Sequence, residues 1–421
     1  MKKLMIMGAG IYQVPLIKRA KEMGIYTIVV SIPGNYPGFA LADQICYENT
    51  VDYERILEVA KREQIDGIVT AGTDVAVITI GKVCDELGLP GLSFAAAKVS
   101  SNKILMKEKY EQFGVRTARF RRLRFDDDMY TIAAELQLPL MFKAVDSSGS
   151  RGIIRVDSTE DFEEARRIVR ETSRTDEYII EEFVEGEEFG AQAFVLNGEV
   201  KFILPHGDYV FHGDTGVPVG HFAPYLLSDE IIADAREQLA LAVKAMGLNN
   251  CAINADFILK DGKTYVLELG GRSGATCLAE LVSIYYGYDY YEKLILAALG
   301  EPVDFPKEHA VPNASMLLRS ETDGVITAIE NQNAPDPDIY EIQFDYQVGD
   351  RVKKFHVGPH RIGHVITKGE TLDVAVKKQM CIRDRKRVIL NYHTMLPLVK
   401  DDPQSRRADD EGAGSDRKNG I

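Results

Sequence analysis

The sequence predicts a mixed chain in which an N-terminal doubly wound α/β domain precedes a larger α+β unit. Three observations carry that reading. At 421 residues the chain is too long for one compact core. Residues 1 to about 95 alternate short apolar runs with amphipathic segments at helical spacing. From about residue 100 the rhythm changes to strand-like runs broken by glycine turns.

The elements follow in order. KLMIMG is a short apolar run ending in glycine, and the start MKKLMIMGAG reads as a first strand rather than a secretory signal, because no cleavage-like site follows. YQVPLIKRAKEMG is helical up to Gly24, YTIVVS is a second strand, and YERILEVAKREQ, DGIVTAG and VAVITIGKVCDELG continue the alternation. Gly8-Ala9-Gly10 suggests a dinucleotide turn, but Gln13 stands where that fingerprint has its third glycine. An NAD-dependent oxidoreductase therefore remains a minor reading.

SSNKILMKEKYEQFG is a lysine-bearing helix that Ser101 or Asn102 could cap. LPLMFKAV is a strand ending near Lys143, followed by the small loop DSSGSRG. A helix, the strand EYIIEEFV, a tight turn at Gly186 and the strand FGAQAFVLNG come next. Residues 202–226 hold much Gly, Pro and His and read as an irregular lid bearing His206, His212 and His221, with a catalytic base among them as a minor reading. A helix, INADFIL, the turn KDGK and TYVLELG complete the pattern. The expected divisions are 1–98, 99–305 with a small lid subdomain at about 115–185, a β-rich part at 306–379, and 380–421. The last segment is polar beyond its MCIRDR stretch, which resembles a translated sequencing adapter, and is expected to be disordered and non-native.

Composition narrows the function. Cys46, Cys84, Cys251, Cys277 and Cys381 are scattered, with no zinc or disulfide spacing, which suits a reducing cytoplasm. A net charge of -14 opposes nucleic-acid binding, and no apolar run reaches the roughly 18 residues of a membrane span. Any phosphate bound here must be small and locally caged.

Phosphoryl transfer from ATP needs lysines for phosphates, a glycine loop that closes over them, oxygen ligands for Mg²⁺ and a wall for adenine. Lys103 and Lys143 offer the cations, and Ser147, Ser148, Gly149 and Gly152 belong to the loop. In the EEFV stretch, Glu181 and Glu182 precede Val184: Glu181 could accept the adenine amino group, the backbone near Val184 could read the ring edge, and Glu188 could bind ribose. Antiparallel strands joined by a short turn would bring Asp256 and Glu268 together. Two unpaired buried carboxylates repel each other, and Mg²⁺ between them relieves that repulsion. Gly270 and Gly271 would leave room for triphosphate, and Arg272 would face the charge developing on the transferred group.

This ordered set, from Lys103 to Arg272, resembles the ATP-grasp superfamily, with carboxylate–amine ligases as the nearest branch; carbamoyl-phosphate synthase large chain, biotin carboxylase and purine-biosynthesis enzymes are its kin. The resemblance runs from residue 1 to about 379 and implies a doubly wound pre-ATP-grasp domain followed by an ATP-grasp fold. It implies ATP and Mg²⁺, or Mn²⁺, as cofactors. Lys103 and Lys143 would bind phosphates, Glu181, Val184 and Glu188 the nucleoside, and Asp256 and Glu268 the metal, while Arg272 would stabilise an acyl phosphate. The family's Glu-x-Asn-x-Arg pattern is broken by Gly270, for which Asn254 is a candidate substitute. The implied reaction joins a small carboxylate to an amine, in a cytoplasmic protein for which a homodimer is a fair expectation. Rival readings are a carboxylase-like enzyme that phosphorylates bicarbonate and a non-catalytic ATP-binding regulator.

Overall fold

A computed structural model describes residues 1–146, 152–211, 216–384 and 386–391. The chain opens with β1 (Lys3–Met7), α1 (Val14–Glu22), β2 (Tyr26–Ser31), β3 (Gln44–Tyr47), α2 (Tyr53–Glu63), β4 (Gly67–Val69) and α3 (Val77–Leu87). The four strands form a parallel sheet in the order β3-β2-β1-β4, so the connections change direction at β1. Leu4, Met5, Ile6 and Met7 are all fully buried. That matches a strand covered on both faces, as a parallel sheet requires. The Asp52 carboxylate caps α2 by accepting from Arg55 N.

Next come α4 (Phe94–Ser100), α5 (Lys103–Phe113), β5 (Phe120–Arg124), α6 (Met129–Ala133), β6 (Leu140–Ala144), β7 (Ile153–Val156), α7 (Phe162–Thr172) and β8 (Glu177–Glu182). Asn102 Oδ1 accepts from Leu105 N at 3.0 Å and starts α5, which ends at Gly114 with φ of 72°. Strands β5 to β8 make a separate four-stranded sheet, order β5-β8-β6-β7, whose face packs Phe142 and Tyr178 against Phe162 of α7.

The remaining elements are β9 (Glu187–Leu196), β10 (Glu199–Val210), β11 (Pro218–Ala223), α8 (Asp229–Met246), β12 (Cys251–Lys260), β13 (Lys263–Gly270), α9 (Leu278–Tyr286), α10 (Tyr290–Ala298), β14 (Asn313–Leu318), β15 (Gly324–Asn331), β16 (Ile339–Phe344), β17 (Arg351–Val352), β18 (Gly363–Lys368), α11 (Leu372–Asp384) and β19 (Lys386–Asn391). Eight of these strands form one sheet, order β13-β12-β9-β10-β11-β14-β18-β16. The segment expected as a separate β-rich part thus continues the central sheet through the pairing of β14 with β11. Among the described residues no helix is long and apolar enough to cross a membrane.

Two expectations are corrected here. Most of the described part of residues 202–226 is strand rather than an irregular lid: β10 and β11 pair antiparallel, and His206 and His221 are buried within the sheet. The glycines that suggested a loop make room for neighbours instead. A Cβ on Gly207 would lie 2.0 Å from the Phe222 ring, and one on Gly190 2.2 Å from the His206 ring. His212 lies outside the described residues. Order also does not end at Gln379. Helix α11 continues to Asp384 because Ile382 joins a core with Leu318, Ile326 and Val365, and β19 pairs with β15. The rest of the suspected tail, residues 392–421, lies outside the description.

Candidate active site

Strand register builds the centre of the site. Asp256 on β12 stands directly opposite Glu268 on β13, beside a bulge, so both side chains leave the same face of the sheet. Burial pushes the Asp256 carboxyl up to about 8, and Glu268, Asp208 and Glu188 push in the same direction. Two carboxylates in this arrangement fit a divalent cation, because its charge relieves the repulsion between them. Lys103 Nζ lies 3.1 Å from Glu268 Oε1.

The lysines converge from separate elements. Lys143 on β6 lies 2.8 Å from Glu181 on β8, and Lys107, one turn along α5 from Lys103, lies 3.3 Å from the same oxygen. Lys107 also donates to Thr117 Oγ1 at 2.5 Å. Burial opposes ionisation of Glu181, but the charges of Lys107 and Lys143 outweigh it and hold the carboxyl at about 2. Burial lowers Lys107 to about 8. Lys107 was missed in the sequence, although its i+4 spacing from Lys103 was a usable signal.

Arg272 makes a two-pronged pair with Asp74, at 2.6 and 2.9 Å. Asp74 was also missed. It follows the end of β4, on the carboxyl side of a parallel sheet where ligands commonly bind. Of the two glycines before Arg272, only Gly270 leaves space in the site, since a Cβ there would meet Asp74 Oδ1 at 3.4 Å. Gly271 instead faces tight packing, with the tip of Leu92 3.0 Å from where a Cβ would stand.

Other expected residues divide. Alternation along β8 turns Glu182 to the face opposite Glu181, where its carboxylate accepts from Arg119 and from Gln137 N; its side chain is therefore not brought to the site. Val184 lies between β8 and β9, and Glu188 stands near the start of β9 with its carboxyl raised by partial burial and by Asp208. Gly152 closes the β6–β7 connection at φ of 64°, a left-handed conformation that favours glycine. Ser147, Ser148 and Gly149 lie outside the described residues.

Farther along the same sheet face, Asp208 Oδ1 lies 2.9 Å from His206 Nδ1 and 2.6 Å from His221 Nδ1. All three donor atoms lie within 4.8 Å, close enough for a metal set. Their surroundings favour a hydrogen-bonded unit instead. The Gly274 N–H fixes Gln192 by donating to its Oε1, which turns Gln192 Nε2 towards Asn254 Oδ1 and His206 Nε2. His206 Nε2 then accepts, and its proton sits on Nδ1, facing Asp208. At the N-terminal turn, Gln13 occupies the dinucleotide position by accepting from Gly10 N and donating to Ala71 O. That takes the backbone donor an NAD pyrophosphate would use.

Comparison with known proteins gives the chain's family. Residues 136–280 match the ATP-grasp domain model, and residues 316–380 match L-amino acid ligase C-terminal domain 2. The crystal structure of phosphoribosylglycinamide synthetase from Anaerococcus prevotii is 36% identical, with 93% of this chain and 100% of that one covered at a TM-score of 0.82. The chain belongs to the ATP-grasp family. Formate-dependent phosphoribosylglycinamide formyltransferase from Methanocella arvoryzae is 24% identical over 89% of this chain and 90% of its own length. L-amino acid ligase from Bacillus licheniformis shares the fold, with a TM-score of 0.75 at 20% identity over 93% of this chain and 99% of that one. Within the family the chain is an ATP-dependent ligase of the carboxylate–amine branch.

Proposed function

We propose that this ligase phosphorylates a small carboxylic acid with ATP at the Asp256–Glu268 site and passes the acyl group to an amine, releasing ADP and phosphate. The observation that carries the reading is the convergence of Asp256 on β12, Glu268 and Arg272 on β13 and the turn after it, and Lys103 on α5. A Mg²⁺ ion held by Asp256 and Glu268 supplies charge neutralisation at the phosphate oxygens.

The chain's own groups do the positioning. Lys103 exchanges its Glu268 partner for phosphate oxygen, and Lys143 meets phosphate from the small sheet while Glu181 holds its ammonium in place. Remaining lone pairs of Glu181 are available to the adenine amino group, next to Val184, and Glu188 lies on the ribose side. Arg272, fixed by Asp74, faces the tetrahedral oxyanion that forms when the amine attacks the acyl phosphate.

Phosphate release from Mg-ATP against a panel of carboxylic acids and amines tests the proposal, with Glu268→Gln as the blank. The match of residues 316–380 puts amino acids first in that panel. Release that needs one acid and one amine together is expected. Release driven by bicarbonate alone would replace the reading with a carboxylase-type reaction.

A further inference from the structure

Glu181 stands on β8, between β5 and β6 of the small sheet, and two lysines reach the same carboxylate oxygen. They differ in freedom. Lys143 of β6 keeps 13% of its side chain exposed, whereas Lys107 of α5 keeps 2%. Lys143 can therefore turn towards a phosphate, and Lys107 has no path to one.

The second bond of Lys107 explains its fixity. Its Nζ donates to Thr117 Oγ1 at 2.5 Å, and that hydroxyl donates in turn to Val266 O at 2.6 Å. Val266 N donates back to Arg116 O at 2.8 Å, so the link between α5 and β5 is itself held to β13. An ammonium group offers donors only, and each contact turns it towards an acceptor. Lys107 thus rests on the large sheet and presents its charge to a carboxylate of the small one. The other charged or titratable groups near this contact are Lys103 and Tyr110 of α5, which interact with the Glu181 charge, and Glu268 of β13, which interacts with that of Lys107.

The protonation state of Glu181 decides what it can bind. An ionised carboxylate only accepts, while a protonated one carries an O–H donor. A 6-amino purine offers a donor at the position where a 6-oxo purine has an acceptor. Burial works against ionisation of Glu181, and the two lysines hold its carboxyl at about 2. Once phosphate shares Lys143, Lys107 is the cation that stays.

We propose that Lys107 is the positioning residue for base selectivity: by remaining on Glu181 while Lys143 serves the phosphates, it keeps that carboxylate a pure acceptor and so selects a 6-amino over a 6-oxo purine nucleotide. The proposal rests on the nucleotide site described above, and Lys107 acts through Glu181 rather than on the nucleotide.

Calorimetric titration of the full chain with Mg-ADP and with Mg-IDP, which avoids turnover, reads the selectivity as a ratio of two affinities. The ratio cancels the titration of phosphates, Asp256 and other groups common to both nucleotides. In the wild type it should favour ADP by about tenfold or more and stay level between about pH 7.5 and 6. In Lys107→Met it should be smaller and should fall by about threefold or more across the same range, as Glu181 takes up a proton. Thr117→Val removes the other hold on Lys107 without emptying the space, and should shift the ratio in the same direction. Glu181→Gln, whose amide can turn either its oxygen or its NH₂ to the base, should discriminate least and show no slope. A purely structural role for Lys107 would weaken both nucleotides alike and leave the ratio unchanged, which overturns the proposal, as does wild-type selectivity in Glu181→Gln. If the wild type binds no Mg-ADP, the ligase reading fails and this proposal with it; if it binds Mg-ADP and Lys107→Met keeps the level wild-type ratio, this proposal alone fails.

Discussion

Glu181 lies between two ammonium groups, 2.8 Å from Lys143 and 3.3 Å from Lys107, with 2% of its side chain exposed. A carboxyl held at about 2 rather than the ordinary 4.5 contributes stability that is fully present above pH 4.5 and lost as the pH falls towards 2. The difference corresponds to roughly 3 kcal/mol at about 1.4 kcal/mol per pH unit. Urea unfolding across this window should show wild-type stability falling more steeply than that of Glu181→Gln. Equal slopes would mean that Glu181 does not gain its charge from the lysines.

Lys107 works in the opposite direction. Its folded pKa of about 8 lies below the ordinary 10.5, so the unfolded chain binds more protons between these values. Stability from this group therefore rises as the pH increases from 8 to 10.5. In Lys107→Met that rise should vanish. At neutral pH the variant should lose about 1–3 kcal/mol, because Glu181 keeps only one cation. ATP affinity should also fall as Lys143 loses its alignment. An unchanged unfolding midpoint would show that Lys107 is not part of the buried network.

The facing pair Asp256 and Glu268 predicts a trade between stability and ligand response. Asp256→Asn removes one of two repelling carboxylates, so the nucleotide-free variant should melt a few degrees higher, for a gain of about 1 kcal/mol. Its stabilisation by Mg-ATP should largely disappear, since that response follows mass action through the site. Thermal shift with and without Mg-ATP measures both. A variant that melts lower and still responds fully would place the metal elsewhere.

These groups differ in how visible they were before folding. Asp256 and Glu268 were legible because two strands of period 2 joined by a tight turn can place them opposite each other in only one way. Lys143 stood out by closing an apolar run beside a glycine loop. Asp74 carried no comparable signal, because its meaning comes from Arg272, 198 residues away. The β10–β11 hairpin was misread for a packing reason. Gly190, Gly207 and Gly220 serve neighbouring rings and backbone across the sheet, and no local pattern distinguishes that use from a turn. Likewise, one apolar contact at Ile382 carries α11 into the MCIRDR stretch, past the point where the sequence suggested its end.

The Asp74–Arg272 pair separates positioning from charge. Lysine at 272 keeps the positive charge but cannot reproduce two parallel bonds to one carboxylate. Arg272→Lys should therefore bind Mg-ATP with near-normal KM while kcat falls by about 10²–10³, the size of effect seen when one oxyanion donor is removed. Asp74→Asn should lower kcat less, because the guanidinium stays but loses its anchor. A large rise in the KM for ATP with kcat intact would instead assign Arg272 to nucleotide binding.

Gly190 tests the hydrogen-bonded unit around Asp208. It sits between Asp256 and His206 on adjacent strands, and its missing side chain is what lets the imidazole lie over the strand. In Gly190→Ala the new Cβ would come within 2.2 Å of the ring, so His206 must move, at a cost of about 1–3 kcal/mol. Displacing the ring breaks its contact with Asp208 and removes the partner that Gln192 faces. Gln192 also anchors Gly274, two residues after Arg272, so kcat should fall even though a methyl group at 190 changes neither of the proposed metal-binding carboxylates. Imidazole resonances of His206 and His221 followed by NMR would report the shift directly. Unchanged resonances together with full activity would show that the sheet absorbs the methyl group and that the His206–Asp208–His221 unit has no link to the Arg272 loop.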